Sequence, residues 1–105
     1  MIDLPTKVKY QLRYTNDFKK NYKKIKKQGK DVEKLKAVIS KLANGLELEE
    51  KYKNHVLTDS KYYKNCGECH VEPDWLLVYQ YINSELILVL VATGSHSELF
   101  WYMRN

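Results

Sequence analysis

A histidine and an aspartate lie four residues apart, across a proline, in the sequence ECHVEPDWLLVY at residues 68–79. An imidazole exchanges protons near neutral pH, and a nearby carboxylate can orient it or act as a base. The other two of the three histidines, His55 and His96, fall in or beside irregular segments, where functional residues concentrate. Two such groups can serve as the base and the acid of one reaction, as RNA cleavage by its own 2′-hydroxyl requires. We therefore take His55, His70, Asp74 and His96 as candidate catalytic residues that need no metal or cofactor.

The same segment also contains Cys66 and Cys69, which with His70 form C-x-x-C-H, the pattern of covalent haem attachment. Haem attachment takes place outside the cytoplasm, whereas the N-terminus shows no charged region followed by an apolar segment, so we expect a cytoplasmic protein. A zinc site needs three or four ligands, and there is no second C-x-x-C. Cysteines three apart on a strand point to opposite faces, which disfavours a disulfide. We predict two small strand residues.

Regular elements must position these side chains. Residues 8–14 alternate between apolar and polar, as in a half-buried strand. Residues 15–29 and 31–45 each begin with capping or acidic side chains and end at a glycine, which predicts two amphipathic helices. The expected buried positions are Phe18, Tyr22 and Ile25 in the first helix and Val32, Leu35, Val38, Ile39 and Leu42 in the second.

The second half of the chain has strand character. Residues 46–61 lose periodicity and predict an irregular connection, and residues 62–71 predict a short strand that is interrupted or bulged near Gly67. Residues 75–82 and 86–92 predict a hairpin with a tight turn at Asn83-Ser84. Pro73 ends the preceding strand, so His70 and Asp74 can face one groove. The order β-α-α-β-β-β predicts a single α+β domain over residues 1–105, with a mostly antiparallel four-stranded sheet packed against an N-terminal helical hairpin.

The formal charge is +5, from 18 Lys and Arg against 13 Asp and Glu, which favours polyanionic partners. Much of it lies on the first helix, either as a solvated surface or as a phosphate-contacting stripe, and both roles can hold together. The longest apolar run, residues 86–92, is far shorter than the roughly 20 residues that span a bilayer, so no membrane span is expected. The helix lysines are Lys19, Lys20, Lys23, Lys24, Lys26 and Lys27.

Phe100 follows His96 at a spacing that places both on one side of a helical turn. A ring there can stack on a nucleobase, although packing of the terminus is the more common role of such a ring.

The segment at 68–79, followed by TGSHSELF at 93–100, resembles the YafQ branch of the RelE/ParE toxin superfamily. The two motifs have the right order and separation, and with the preceding strand and lysine-rich helices the resemblance covers nearly the whole chain. It implies a RelE-like fold and a cytoplasmic toxin of a type II toxin–antitoxin system. Such toxins are endoribonucleases that enter the ribosomal A site, on the 30S subunit, and cut mRNA during translation.

By resemblance, His70 and Asp74 occupy the central His and Asp positions of the family, and His96 its C-terminal catalytic histidine. Phe100 matches the aromatic residue that holds substrate, and His55 matches an earlier site histidine. The resemblance leaves open which of His55, His70 and Asp74 is the base.

Two departures from the family pattern bear on the site. Gly67 stands where relatives commonly carry an arginine, so a phosphate-binding cation would come from another residue such as Lys61 or Lys64. The chain also continues past Phe100 with a tail at residues 101–105, which can cover the site, pack on the sheet or do neither.

The resemblance further implies a cognate antitoxin that covers the basic surface, with operator DNA bound only through the toxin–antitoxin complex. Two alternatives to the ribonuclease remain at this point. One is a toxin directed at DNA gyrase, and the other is a non-catalytic module that only binds an antitoxin.

Overall fold

The computed structural model describes residues 4–58 and 61–101. In this part of the chain, one five-stranded sheet has the order β1-β5-β4-β3-β2. Strands β1 and β5 are parallel, and the other neighbouring pairs are antiparallel. The elements are β1 (Gln11–Tyr14), α1 (Asn16–Lys27), α2 (Val32–Ala43), β2 (His55–Val56), β3 (Gly67–Glu72), β4 (Trp75–Ile82), β5 (Ile87–Gly94) and α3 (His96–Leu99), with 3-10 turns at Glu50–Tyr52 and Asn83–Glu85.

The α+β class and the helical pair are confirmed, but the sheet has one strand more than the predicted four. The additional strand, β2, lies in the segment predicted to be irregular. It was not predicted, because a strand of two residues is too short to show a period. Strand β3 begins at Gly67 rather than at residue 62, and its register shift lies between His70 and Glu72 rather than near Gly67. Pairing with neighbouring strands, which sequence periodicity does not reveal, sets both features.

Both predicted helices form, and their caps explain where they begin. The Thr15 hydroxyl accepts a hydrogen bond from the backbone of Phe18 at 3.0 Å, and Asp31 does the same for Glu33. Helix α1 ends before Gly29, whose φ of +76° favours glycine. The apolar stripes predicted from helical spacing are buried, apart from a half-buried Val32.

Alternation along the central strands divides the core into two clusters. In β4, Trp75, Leu77 and Tyr79 pack with the helices α1 and α2, whereas Leu76 and Val78 pack with α3. Each face of the sheet is therefore covered by helix, and α3 is seated on the face opposite the helical pair.

The two cysteines are unpaired and buried, and they belong to different clusters. Burial, with a smaller contribution from Glu68, raises the pKa of the Cys69 thiol to about 12, and burial also raises the pKa of Cys66. Cys69 is a strand residue as predicted, whereas Cys66 lies just before the first residue of β3.

None of the helices in the described ranges is both long and apolar enough to cross a membrane. Of the C-terminal tail, residues 102–105 lie outside the described residues.

Candidate active site

A buried carboxylate lies between two of the candidate histidines. His55 in β2 pairs directly with Glu68 in β3, and His70 follows two residues later on the same face of that strand. Glu68 Oε1 lies 3.5 Å from His55 Nε2 and 3.6 Å from His70 Nε2. The side chain of Glu68 is 7% exposed, against 51% for His55 and 26% for His70. The buried Glu68 carboxylate thus lies close to the imidazoles of both His55 and His70.

The opposite nitrogen of each imidazole meets a backbone carbonyl. His55 Nδ1 lies 2.8 Å from the oxygen of Lys53, and His70 Nδ1 lies 3.2 Å from the oxygen of Pro73. A carbonyl oxygen only accepts, so Nδ1 carries the hydrogen in both rings. Nε2 is then the nitrogen that can take up a proton, and the imidazolium formed lies beside the Glu68 carboxylate.

Asp74 and His96 are joined through the backbone. Asp74 Oδ1 accepts a hydrogen bond from the backbone N–H of His96 at 3.1 Å, in the first turn of α3. This turn would otherwise leave N–H groups without partners, and a carboxylate is favourable there. Asp74 therefore fixes where the backbone of His96 lies.

Glu98 and Ser95 complete the start of α3 as a capping box, in which each side chain accepts from the backbone of the other. Glu98 also pairs with Lys24 of α1. The hydrogen bond from Lys24, followed by that from the Ser95 backbone, lowers the pKa of Glu98 from 4.5 to about 2. This ion pair connects α3 to α1 at the surface.

The β3–β4 turn brings the two halves of the site together. Its adjacent residues Pro73 and Asp74 bind the ring of His70 and the backbone of His96, respectively. Trp75, next in the chain, is buried and donates to the Thr93 hydroxyl at 2.9 Å, which ties the turn to β5. The four predicted catalytic residues thus form two groups that this turn connects. His55 and His70 lie beside Glu68, and Asp74 binds the backbone of His96 at the start of α3.

Phe100 is 5% exposed. Its ring lies 5.1 Å from the ring of His96, and the ring of Tyr63 meets it edge-on at 5.4 Å. In this arrangement Phe100 supports the exposed imidazole of His96 from the core side. Its predicted role in holding substrate stays a prediction.

Cations lie near His70, but not where the sequence suggested. Lys51 and Lys53, with Tyr52, line the same cavity as His70. Lys34 also lines it but pairs with Glu72 at 2.9 Å. The predicted Lys61 and Lys64 are exposed in the loop that precedes β3.

Gly67 is required by its neighbour. A Cβ atom at this position would lie 2.5 Å from Cζ of Tyr79, whose ring packs directly over the glycine. The Tyr79 hydroxyl donates to Asn54, the residue before His55, and burial raises its pKa to about 12. Position 67, where the resemblance suggested an arginine, therefore has no room for a side chain while the Tyr79 ring lies over it.

The sequence reasoning missed Glu68, Lys51 and Lys53. Glu68 could have been found, because strand alternation places it on the same face as His70. The lysines could not, because a 3-10 turn and a left-handed Lys53 (φ 47°) bring them to the cavity.

Within residues 4–58 and 61–101, no group of three His, Cys, Asp or Glu side chains is arranged to hold a metal ion.

Comparison with known proteins gives a consistent result. Residues 10–101 match the family model described as the bacterial toxin of type II toxin–antitoxin system, YafQ. The curated mRNA interferase toxin YafQ of Escherichia coli strain B is 36% identical over 94 residues, which are 89% of this chain and 98% of the relative.

Solved structures agree in fold. YafQ in the E. coli DinJ–YafQ complex has a TM-score of 0.78 at 37% identity, covering 87% of this chain and 98% of that one. A metal-bound toxin from Helicobacter pylori has a TM-score of 0.81 at 42% identity, covering 87% and 99%.

Proposed function

Because the chain belongs to the YafQ family of toxins of type II toxin–antitoxin systems, we propose that it is an endoribonuclease that cleaves mRNA in the ribosomal A site. The observation that carries the mechanism is the β3–β4 turn, which holds the ring of His70 and the backbone of His96 from adjacent residues. An acid and a base placed on either side of one short turn suit the two proton transfers of a single phosphoryl transfer.

In the proposed reaction the 2′-oxygen of the substrate attacks the adjacent phosphorus. The bond from phosphorus to the 2′-oxygen forms as the bond to the 5′-oxygen breaks. The base receives the 2′-hydroxyl proton, and the acid donates a proton to the 5′-oxygen. The products are a 2′,3′-cyclic phosphate and a free 5′-hydroxyl, and no metal or cofactor takes part in these steps.

His96 is the proposed acid, because its imidazole is exposed at the first residue of a helix whose backbone is fixed by Asp74. His70 is the proposed base. Its Nδ1 hydrogen is committed to the Pro73 carbonyl, so Nε2 accepts the proton, and Glu68 stabilises the resulting cation at 3.6 Å. His55 shares that carboxylate and is assigned to the electrostatics of the same group.

Cations must stabilise the charge that builds on the phosphoryl oxygens. Lys51 and Lys53 are the proposed source, because they line the cavity that contains His70. Lys61 and Lys64 precede β3 and are assigned to phosphates further along the RNA.

The partner of this toxin in the cell is proposed to be an antitoxin, as in the DinJ–YafQ complexes that it resembles. The exposed lysines of α1 suit an acidic segment of such a protein, and the same lysines suit ribosomal RNA.

The experiment is to sequence the ends of mRNA cleaved by the purified protein, with and without translating ribosomes. We expect cuts within codons only when ribosomes are present, and fragments that carry a cyclic or 3′-phosphate. His96→Ala should reduce the rate by about 100-fold or more, as expected for loss of a general acid.

Glu85→Gln is the matched control, because Glu85 is exposed in the turn at the far end of β4 from the site. Cleavage by His96→Ala at the control's rate would remove His96 from the mechanism. Growth arrest without RNA cleavage, together with trapped gyrase–DNA complexes, would replace the ribonuclease with the gyrase-directed alternative.

A further inference from the structure

Two exposed aromatic side chains are connected to the proposed acid through the rings of Tyr63 and Phe100. Tyr62 is 64% exposed and Trp101 is 58% exposed, and their ring centroids lie 6.0 Å apart at an angle of 58°. Burial of such large rings is favourable, so a solvent-facing pair on a basic protein indicates a surface that receives a ligand. Single-stranded nucleic acid binds surfaces of this kind, because every base has a face that stacks on an aromatic ring.

The exposed pair is continuous with the site. Tyr62 meets Tyr63 at 6.3 Å, Tyr63 meets Phe100 at 5.4 Å, and Phe100 meets His96 at 5.1 Å. The inner rings are fixed, because Phe100 is buried and the Tyr63 hydroxyl donates to the carbonyl of Leu99 at 3.0 Å. A continuous series of ring contacts, with its inner rings fixed, therefore connects the proposed acid to Tyr62 and Trp101.

Charge favours an RNA occupant over an apolar protein segment. Lys61 and Lys64 flank the two tyrosines in the chain, and both are exposed. A nucleotide offers a base for the rings and a phosphate for these cations, whereas an apolar segment would leave the cations without counter-charges.

We propose that Tyr62 and Trp101 form a stacking site for an unpaired base of the substrate RNA. Since His96 protonates the leaving 5′-oxygen, this base belongs to the nucleotide on the 3′ side of the scissile phosphate. The assignment of that nucleotide rests on the proposed function, but stacking itself requires no cleavage.

The probe is a short single-stranded oligoribonucleotide whose 2′-hydroxyls are all methylated, so that it binds without being cut. The readout is tryptophan fluorescence. Of the two tryptophans, Trp75 is fully buried, so quenching of the fluorescence by a ligand at the surface reports on Trp101. We expect the oligonucleotide to quench this emission, and an otherwise identical abasic oligonucleotide, which keeps its phosphates, to do so weakly.

Affinities for variants come from the anisotropy of a labelled oligonucleotide. Trp101→Ala and Tyr62→Ala should each bind about 5-fold to 150-fold more weakly, the range found when a stacked aromatic residue is replaced by alanine. Trp101→Phe should retain most of the affinity. Tyr14→Ala is the matched control, because Tyr14 is 42% exposed on β1, at the opposite edge of the sheet from β2.

Equal affinity of Trp101→Ala and the wild type, or of the intact and abasic oligonucleotides, overturns the proposal. A variant that loses antitoxin binding and keeps RNA binding also overturns it and assigns the surface to the protein partner. Stacking without any cleavage on ribosomes would contradict the proposed function alone. Cleavage that depends on His96 but not on Trp101, with unchanged RNA affinity, would contradict the stacking site alone.

Discussion

Asp74 offers a sharp test, because its observed contact and its expected chemistry predict different mutant behaviour. The resemblance placed Asp74 among the catalytic residues, whereas its carboxylate accepts from the backbone N–H of His96 at 3.1 Å. An asparagine has an oxygen in the same place but cannot act as a base. Asp74→Asn and Asp74→Ala therefore separate a positioning role from a proton-transfer role.

The expected loss of cleavage rate follows from the hydrogen bond between Asp74 and the backbone of His96. Loss of a side-chain acceptor at a helix start costs about 1–2 kcal/mol. Leu99 and Phe100 remain buried and keep α3 docked, so the cost falls on the placement of His96 rather than on folding. If misplaced molecules are inactive, Asp74→Ala lowers the cleavage rate by about 5-fold to 30-fold. Asp74→Asn keeps the acceptor, and its rate should fall by no more than about 3-fold.

The assay is single-turnover cleavage of a defined mRNA on purified ribosomes with the toxin in excess, so that the rate reports on chemistry. Thermal unfolding of each variant separates a local effect from a loss of fold, and Glu85→Gln is again the control. A positioning role is refuted if Asp74→Asn is as slow as Asp74→Ala with both slowed by about 100-fold or more, since that is the pattern of a lost base.

Other contacts lead to separate predictions. Glu68→Gln should slow single-turnover cleavage by about 10-fold or more, because it removes the negative charge beside His70. The fold should stay stable, since glutamine keeps the shape of the side chain. An unchanged cleavage rate would exclude the carboxylate from the mechanism. The pKa of Glu98 is lower in the folded protein, at about 2, than its ordinary 4.5, so its contribution to stability is complete above pH 4.5 and is lost as the pH falls towards 2. The difference in unfolding free energy between wild type and Glu98→Gln should therefore shrink over that range in acid titrations, and a difference independent of pH would contradict this. Gly67→Arg should destabilise the protein by about 1–3 kcal/mol rather than improve the site, because its Cβ meets the ring of Tyr79 at 2.5 Å; chemical denaturation measures this, and a Tyr79→Ala background should relieve it.

Local sequence was sufficient for elements whose burial follows a regular period. Helices α1 and α2 and strand β4 appear where periodicity and caps predicted them, because each buries one continuous stripe or run. Strand β2 was missed, because two residues carry no period and its existence depends on pairing with β3. The parallel pairing of β1 with β5 is likewise a long-range choice.

Residue types alone were sufficient to select the histidines as candidate site residues, but they did not predict which groups contact those histidines. That His55 meets Glu68 follows from the cross-strand register, and that Asp74 binds the backbone of His96 follows from how α3 docks on the sheet. Neither contact is encoded by spacing along the chain. The buried state of Phe100 is another such case, because it depends on Tyr63, which lies 37 residues earlier.

Loops usually accept added residues, because they bury little and bond to few neighbours. The β3–β4 turn lacks that freedom. Glu72 pairs with Trp75, so Pro73 and Asp74 alone connect the strands. Pro73 is hydrogen-bonded to the ring of His70, and Asp74 is hydrogen-bonded to the backbone of His96. One inserted residue here would move His70 and His96 apart while leaving both strands and their core contacts in place. The shortest connection in the sheet is thus the part of this protein least able to change in length.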